Sequence, residues 1–355
     1  MTIASSPRSG SGEPSATPPA SGQTLGTDLL IRVHGDASLP TLVYLPGLHG
    51  DWTLVSSFRA AMAGKVRLVE FAYPRTTTWS LDEHAAAIEN ALLSRGIVRG
   101  WLLGESFGSQ PAWQMVGRVL KDEGHKSEPT NPSRRGSPPS RMAESRLSST
   151  DLNCGSEGWL SSNGGDGGVV DGVPLSRPRF QVEGLILAGG FVRHPVIWAV
   201  RGAGRVSGAI PMGCLKLFCF AYARYAEFRH KRAPETFASI AQFVANRTQE
   251  ADRRAIVHRY TLIADNDLRA VARGFGRPVF YLAGLVDPLV PWCCVRWWLR
   301  RHCPGYHGGK TIWRADHNVL GTAPQASAQQ VLEWMNGGTS ALPAGSSSTT
   351  EESLG

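Results

Sequence analysis

The chain has 355 residues, a hydrophobic fraction of 42% and a formal net charge of +8. This length allows one large domain or two ordinary ones, and the hydrophobic fraction is typical of a globular protein. The positive charges are scattered, and the densest run covers only residues 229–232, so we expect no nucleic-acid partner.

Segments rich in Ser, Pro and Gly stand at both ends of the chain and once inside it. Residues 1–26, 121–179 and 338–355 contain few large apolar side chains, so they cannot build a core. We predict two disordered tails and a disordered internal loop. The N-terminal segment has no apolar stretch typical of a secretory signal, and no apolar run reaches membrane-spanning length, so we expect a cytoplasmic location.

The rest of the chain alternates apolar strands with helical stretches. Helices are predicted at residues 107–120 and 326–335, and Ser80 is the predicted N-cap of another because Asp82 and Glu83 stand in its first turn. Strands are predicted at residues 29–33, 41–45, 66–72, 101–103, 182–188, 278–283 and 310–313. Their continuous apolar character is typical of strands buried on both faces. The predicted fold class is therefore α/β, with a doubly wound, mostly parallel sheet.

Residues 194–269 interrupt this alternation. Their sequence favours helices throughout and is rich in aromatic residues, and it lies between two predicted strands. We interpret this segment as a helical lid insertion. A domain at residues 27–337 would then contain both the 121–179 loop and the lid.

Three polar residues each follow a predicted strand. Ser106 lies in the motif G-x-S-x-G, after an apolar strand and before a helix, where a sharp turn would present its hydroxyl above the sheet. Asp287 lies in a G-x-x-D-x-x-V-P pattern, and His317 precedes the last helix. These motifs, in the chain order Ser, Asp, His, resemble those of the α/β-hydrolase superfamily.

The resemblance implies a serine hydrolase with a catalytic triad. Ser106 would be the nucleophile, His317 the general base, and Asp287 the acid that orients the imidazole. This chemistry needs no metal and no organic cofactor.

The resemblance also implies an oxyanion hole made of two backbone N–H groups. Leu48, in the loop after the strand at residues 41–45, and Phe107, directly after the nucleophile, would supply them. His49 is the alternative to Leu48, because Pro46-Gly47 stands where many members of the superfamily have His-Gly.

Other residues could fill some of these roles. Asp316 is the alternative acid, and His194 and His302 are the alternative bases. Three tryptophans after the acid loop are interpreted as core packing: Trp292, Trp297 and Trp298.

The leading functional hypothesis is hydrolysis of a small-molecule carboxylic ester or thioester through an acyl-Ser106 intermediate. The aromatic lid would form an apolar pocket for the acyl group. An acyltransferase that uses the same triad and a catalytically inactive binding protein with the same fold are the alternatives. A lipase acting at a membrane surface is a further one, suggested by the basic run 229–232 and the apolar stretch before it.

Overall fold

The structure is a computed structural model that describes residues 28–126, 178–211 and 249–337, and also residues 213, 214, 217, 221 and 224. The predicted tails lie outside the described residues. So do most of the predicted disordered loop, the middle of the predicted lid and the basic run 229–232. The predictions for these segments stay predictions.

A seven-stranded sheet runs through the described residues, in the order β1-β3-β2-β4-β5-β6-β7. The strands are β1 (Leu30–His34), β2 (Thr41–Leu45), β3 (Arg67–Ala72), β4 (Arg99–Glu105), β5 (Gln181–Ala188), β6 (Val279–Gly284) and β7 (Tyr306–Ile312). Strand β1 pairs antiparallel with β3, and the other pairings are parallel. The predicted mostly parallel, doubly wound sheet is confirmed.

Helices cover both faces of the sheet. They are α1 (Ser56–Met62), α2 (Leu81–Leu93), α3 (Ser109–Lys126), α4 (Ile197–Ala209), α5 (Glu250–Asp265), α6 (Arg269–Gly274), α7 (Trp292–His302), α8 (Val319–Thr322) and α9 (Pro324–Met335). Since side chains alternate along a strand, neighbouring residues pack into different layers. Val43 belongs to the buried cluster that contains Trp113 of α3. Tyr44 belongs to the opposite cluster, which contains Phe58 of α1.

Helix α2 begins where the sequence predicted it. The Ser80 hydroxyl accepts a hydrogen bond from the Glu83 N–H at 3.2 Å, and the Glu83 carboxylate accepts one from the Ser80 N–H at 2.7 Å. These reciprocal bonds satisfy two donors that a helix N-terminus otherwise leaves unpaired. The predicted cap is confirmed.

Helix α3 is longer than its sequence prediction. It continues to Lys126, so residues 121–126, which we expected in the disordered loop, are helical. Arg179, at the other end of the predicted loop, forms ion pairs with Asp122 of this helix at 2.5 Å and with Glu89 of α2 at 2.7 Å.

The helical insertion between β5 and β6 includes α4 and α5, which pack against each other. Two contacts anchor α5 to the body of the molecule. Asp252 pairs with Arg75 at 2.8 Å, and His258 Nε2 lies 2.8 Å from the Trp79 carbonyl oxygen. Within the described ranges, no helix is both long enough and apolar enough to span a membrane.

The cap of α2 gives a test of the fold. Replacing Ser80 with Ala removes the side-chain acceptor, so we expect the free energy of unfolding to fall by about 1 kcal/mol. Urea-induced unfolding followed by circular dichroism measures this change. The matched control is Ser94→Ala at the other end of α2, where the hydroxyl donates to the Ala91 carbonyl in a solvent-exposed bond and caps no N–H. Equal losses in the two variants would contradict the assigned role of Ser80.

Candidate active site

Ser106 occupies a sharp turn between β4 and α3. A short 3-10 turn, Ser106–Gly108, joins the strand to the helix, and the backbone φ of Ser106 is +48°. A non-glycine residue in this left-handed region is strained, and such residues persist only where the surroundings impose them. The turn directs a nearly buried serine toward the carboxyl edge of the sheet.

The two glycines of the motif are required by close backbone contacts. A Cβ atom on Gly104 would lie 2.7 Å from the Ser109 Cα, and one on Gly108 would lie 2.0 Å from the Leu45 carbonyl oxygen. Both distances are far below van der Waals contact. Any larger residue would push α3 away from β4 or from the end of β2.

Two polar residues at the start of α3 form hydrogen bonds that connect the Ser106 turn to the loop after β5. The Ser109 hydroxyl lies 2.6 Å from the Ser106 carbonyl oxygen and also accepts from the Phe191 N–H at 3.0 Å. Gln110 donates to the Phe191 carbonyl at 3.0 Å. Sequence reasoning missed both residues, because their partners lie in the loop after β5, about 80 positions away along the chain.

The structure brings the side chains of the three predicted site residues together. His317 Nε2 lies 2.9 Å from Ser106 Oγ, and His317 Nδ1 lies 2.9 Å from Asp287 Oδ2. The other Asp287 oxygen accepts from the backbone N–H groups of Leu289 and Val290 at 2.8 and 2.9 Å. The carboxylate is therefore fixed, and it can in turn fix the imidazole ring.

The alternative residues bond to other partners. Asp316 accepts a hydrogen bond from the Asn318 N–H at 3.0 Å, while the imidazole of the adjacent His317 turns to Asp287. His194 uses both ring nitrogens, one near the Leu289 carbonyl and one near the Val196 N–H. His302, the third alternative, lies in helix α7 and packs against two tryptophans.

Comparison with known proteins identifies the fold. No protein-family model matches the chain, and no curated protein matches it significantly. An enol-lactonase from Burkholderia xenovorans LB400 superposes with a TM-score of 0.58 at 15% identity, covering 87% of this chain and 96% of that chain. A thermophilic esterase from Thermogutta terrifontis gives 0.56 at 15% identity, covering 87% and 93%. An α/β-hydrolase enzyme from a Medee basin deep-sea metagenome library gives 0.58 at 11% identity, covering 87% and 94%. The chain has the α/β-hydrolase fold.

Electrostatics around His317 favour the protonated imidazole. Burial alone lowers its pKa, but the hydrogen bond and charge of Asp287 oppose this effect, with smaller contributions from Glu105 and Asp316. The net result is a pKa above the ordinary value for histidine. In this α/β-hydrolase fold, Asp287 in the loop after β6 and Glu105 at the end of β4 thus raise the pKa of the same ring.

The loop after β2 approaches Ser106 closely. The Gly50 N–H donates to the Gly47 carbonyl at 3.0 Å, which closes a tight turn around Leu48 and His49. A Cβ atom on Gly47 would lie 3.3 Å from the Ser106 Cβ. The backbone that carries one predicted oxyanion donor is therefore next to Ser106.

A buried polar network that the sequence did not predict lies beside this loop. The Tyr44 hydroxyl donates to the Glu105 carboxylate, and His49 Nε2 lies 3.9 Å from the same carboxylate. Burial and the charge of Glu105 raise the pKa of Tyr44 well above its ordinary value. Tyr44 therefore stays neutral and donates a hydrogen bond to Glu105, the residue that precedes Ser106.

An open cavity of about 770 Å³ lies between the start of α4 and helix α7. Its walls include Trp198, Trp297 and Trp298, but no side chain of the candidate triad. Trp297 is 65% exposed, so its interpretation as core packing is wrong, whereas Trp292 and Trp298 pack partly against the core. Most aromatic residues expected to form an acyl pocket lie outside the described residues.

The positive φ of Ser106 predicts how substitutions there change the stability of the protein, whatever its activity. Glycine tolerates a φ of +48°, so Ser106→Gly should be more stable than Ser106→Ala by about 1 kcal/mol. Urea-induced unfolding of the two variants measures the difference.

Ser94 provides the matched control, because its φ is −62° and lies in the ordinary helical region. There the order should reverse, with Ser94→Gly less stable than Ser94→Ala. The same order at both positions would contradict a strained Ser106.

Proposed function

We propose that this protein is a serine hydrolase that cleaves carboxylic esters or thioesters through an acyl-Ser106 intermediate. The observation that carries the proposal is the continuous chain of two 2.9 Å contacts from Asp287 through His317 to Ser106. The position of Ser106 on a strained turn at the start of a helix supports it, since this is the setting that a nucleophile elbow requires. An esterase and an enol-lactonase, whose names refer to ester chemistry, have the same fold.

In the first half of the proposed reaction, Ser106 Oγ attacks the substrate carbonyl carbon while its proton passes to His317 Nε2. Asp287 holds the ring tautomer that carries a proton on Nδ1 and stabilises the imidazolium that forms. The carbonyl oxygen becomes an oxyanion. The backbone N–H groups of Leu48 and Phe107 would stabilise it, each by about 3 kcal/mol.

The tetrahedral intermediate then collapses. The bond to the leaving alcohol or thiol breaks, His317 gives its proton to the leaving group, and the acyl group stays on Ser106. In the second half, His317 takes a proton from a water molecule, the resulting hydroxide attacks the acyl carbon, and the same oxyanion contacts form again. When this second tetrahedral intermediate collapses, the bond between the acyl carbon and Ser106 Oγ breaks and His317 returns its proton to Oγ. The carboxylic acid leaves, and Ser106 and neutral His317 are restored.

Labelling with a fluorophosphonate probe is the direct test of the nucleophile. We expect wild type to be labelled and to hydrolyse short- or medium-chain nitrophenyl esters, and Ser106→Ala to lose labelling completely. Turnover by this variant should fall by about four to six orders of magnitude, because the nucleophile acts as a unit with its base. Ser94→Ala, which changes an exposed serine, is the matched control and should be labelled at the wild-type rate.

Well-folded wild type with neither labelling nor turnover would contradict the proposal and favour the binding-protein alternative. Labelling accompanied by transfer to an added alcohol without net hydrolysis would favour the acyltransferase. The chain-length preference in the ester panel would define the acyl pocket.

The pH profile tests the role of Asp287. The base must be neutral to accept the Ser106 proton, so kcat/KM should decrease as the pH falls through the raised pKa of His317. Asp287→Asn removes the main group that raises this pKa, so the acid limb should move to lower pH. The plateau should fall about 10⁴-fold, because the imidazole loses its correct tautomer.

Asp316→Asn is the control for this experiment, since Asp316 contributes less to the pKa and does not bond the ring. We expect a small shift of the acid limb in the same direction and a plateau within a few fold of wild type. A larger effect of Asp316→Asn than of Asp287→Asn would assign the acid role to Asp316 instead.

A further inference from the structure

We infer that Arg259, in helix α5 of the insertion, is a positioning residue that sets the orientation of the proposed oxyanion hole. This inference rests on the proposed function. Its basis is a buried guanidinium group that contacts the loop on which Leu48 lies. Only 2% of Arg259 is exposed.

The guanidinium joins two loops that leave neighbouring strands. Arg259 Nη1 donates to the Leu48 carbonyl oxygen at 2.7 Å, after β2, and Nη2 donates to the Pro74 carbonyl at 3.2 Å, after β3. The same group lies 5.5 Å from the centre of the Tyr73 ring. A fork of donors on a planar, permanently charged group can hold two carbonyls at once, which a lysine cannot do in the same way.

The two peptide planes that flank Leu48 are fixed by different contacts. The turn bond from the Gly50 N–H holds the Gly47 carbonyl, and because a peptide is planar and trans, this bond also directs the Leu48 N–H. Arg259 holds the Leu48 carbonyl and so fixes the next plane, which carries the His49 N–H. Both candidate oxyanion donors therefore depend on this loop keeping its shape.

The Leu48 N–H is available for a ligand. Within the part of the chain that the structure describes, this N–H makes no hydrogen bond. The adjacent Gly47 approaches Ser106 closely, as a Cβ atom there would lie 3.3 Å from the Ser106 Cβ. A donor in a loop that approaches Ser106 this closely suits the developing oxyanion, provided that its direction is held.

Gly50 makes the contact between Arg259 and the loop possible. Its φ is +78°, and a Cβ atom there would lie 2.5 Å from Arg259 Nη1. A side chain at this position would displace the guanidinium from the Leu48 carbonyl. The loop and the arginine therefore fit each other at the backbone of Gly50.

Helix α5 has other anchors, so removing the guanidinium should not release the whole helix. Asp252 pairs with Arg75, and His258 lies against the Trp79 carbonyl. The matched control is Arg253 in the same helix. It also donates to two carbonyls, at Gly208 and Ile210, but these lie at the end of α4 and not in the loop after β2 that carries Leu48.

The experiment compares the full-length variants Arg259→Met, Arg259→Lys and Arg253→Met with wild type. Affinity is measured for an arylboronic acid, whose boron accepts the Ser106 oxygen while the Ser106 proton passes to His317, giving a tetrahedral anion. The rate of fluorophosphonate labelling, kcat and KM for a hydrolysed ester, the acid limb of the pH profile and thermal melting are measured in parallel.

For Arg259→Met we expect kcat, boronate affinity and labelling rate to fall together by about 10- to 100-fold, with KM changed by less than about threefold. The acid limb should stay in place, because the His317–Asp287 contact is untouched. Arg259→Lys should show a smaller loss, since an ammonium group can reach one carbonyl. Arg253→Met should keep wild-type boronate affinity and kcat, even where its melting temperature falls.

Two results would overturn the inference alone: boronate affinity and kcat of Arg259→Met equal to wild type, or equal losses in Arg253→Met. If Arg259→Met does not fold, folded Arg259→Lys decides, and unchanged boronate affinity there would overturn the inference. Failure of wild type to be labelled would instead overturn the proposed function, and the inference with it.

Discussion

The strained turn at Ser106 is the constraint on which the candidate site depends. A serine with a φ of +48° would relax if the chain around it could move. It cannot move, because Gly108 packs against the carbonyl oxygen of Leu45 and Gly104 packs against the start of α3. Two adjacent parallel strands and one helix therefore hold the hydroxyl in place, and neither strand could do so alone.

The parallel sheet accounts for the meeting of three distant residues. Strands β4, β6 and β7 run in the same direction, so the loops that follow them emerge at the same edge. Ser106, Asp287 and His317 each lie after one of these strands. Alignment of the loops brings the side chains near each other, and local contacts set the final geometry, as the two backbone N–H groups do for the Asp287 carboxylate.

Much of this arrangement could be predicted from sequence, because it depends on local patterns. Continuous apolar runs predicted all seven strands, and the turn motif with its glycines predicted the site of Ser106. Strand β7 begins earlier than predicted, at Tyr306. Its glycines have no strand preference of their own and are extended because they pair with β6. Helices α1, α6, α7 and α8 were missed. The spacing of Trp292, Val295 and Leu299 was a usable signal for α7.

The contacts that support the candidate site could not be predicted, because they join residues far apart along the chain and no local sequence pattern indicates such pairs. Ser109 and Gln110 bond to the loop after β5, and Arg259 reaches the Leu48 carbonyl across 211 positions of the chain. An arginine in a predicted helix is ordinarily a surface residue. Its burial follows only once the insertion is folded against the sheet.

The anchoring of helix α5 bears on how such proteins diversify. A separable insertion could be exchanged between proteins of one fold without loss of the fold. Here the second half of the insertion does not behave as a separable module, because Asp252, His258 and Arg259 all bond to loops of the sheet. A chimera that takes its insertion from another protein should therefore keep residues 249–265 with the body of the sheet, since Gln249 caps α5 and accepts a hydrogen bond from Arg75. The natural point for the exchange lies before Gln249, so recombination there would vary the first half of the insertion without disturbing the loop beside Ser106.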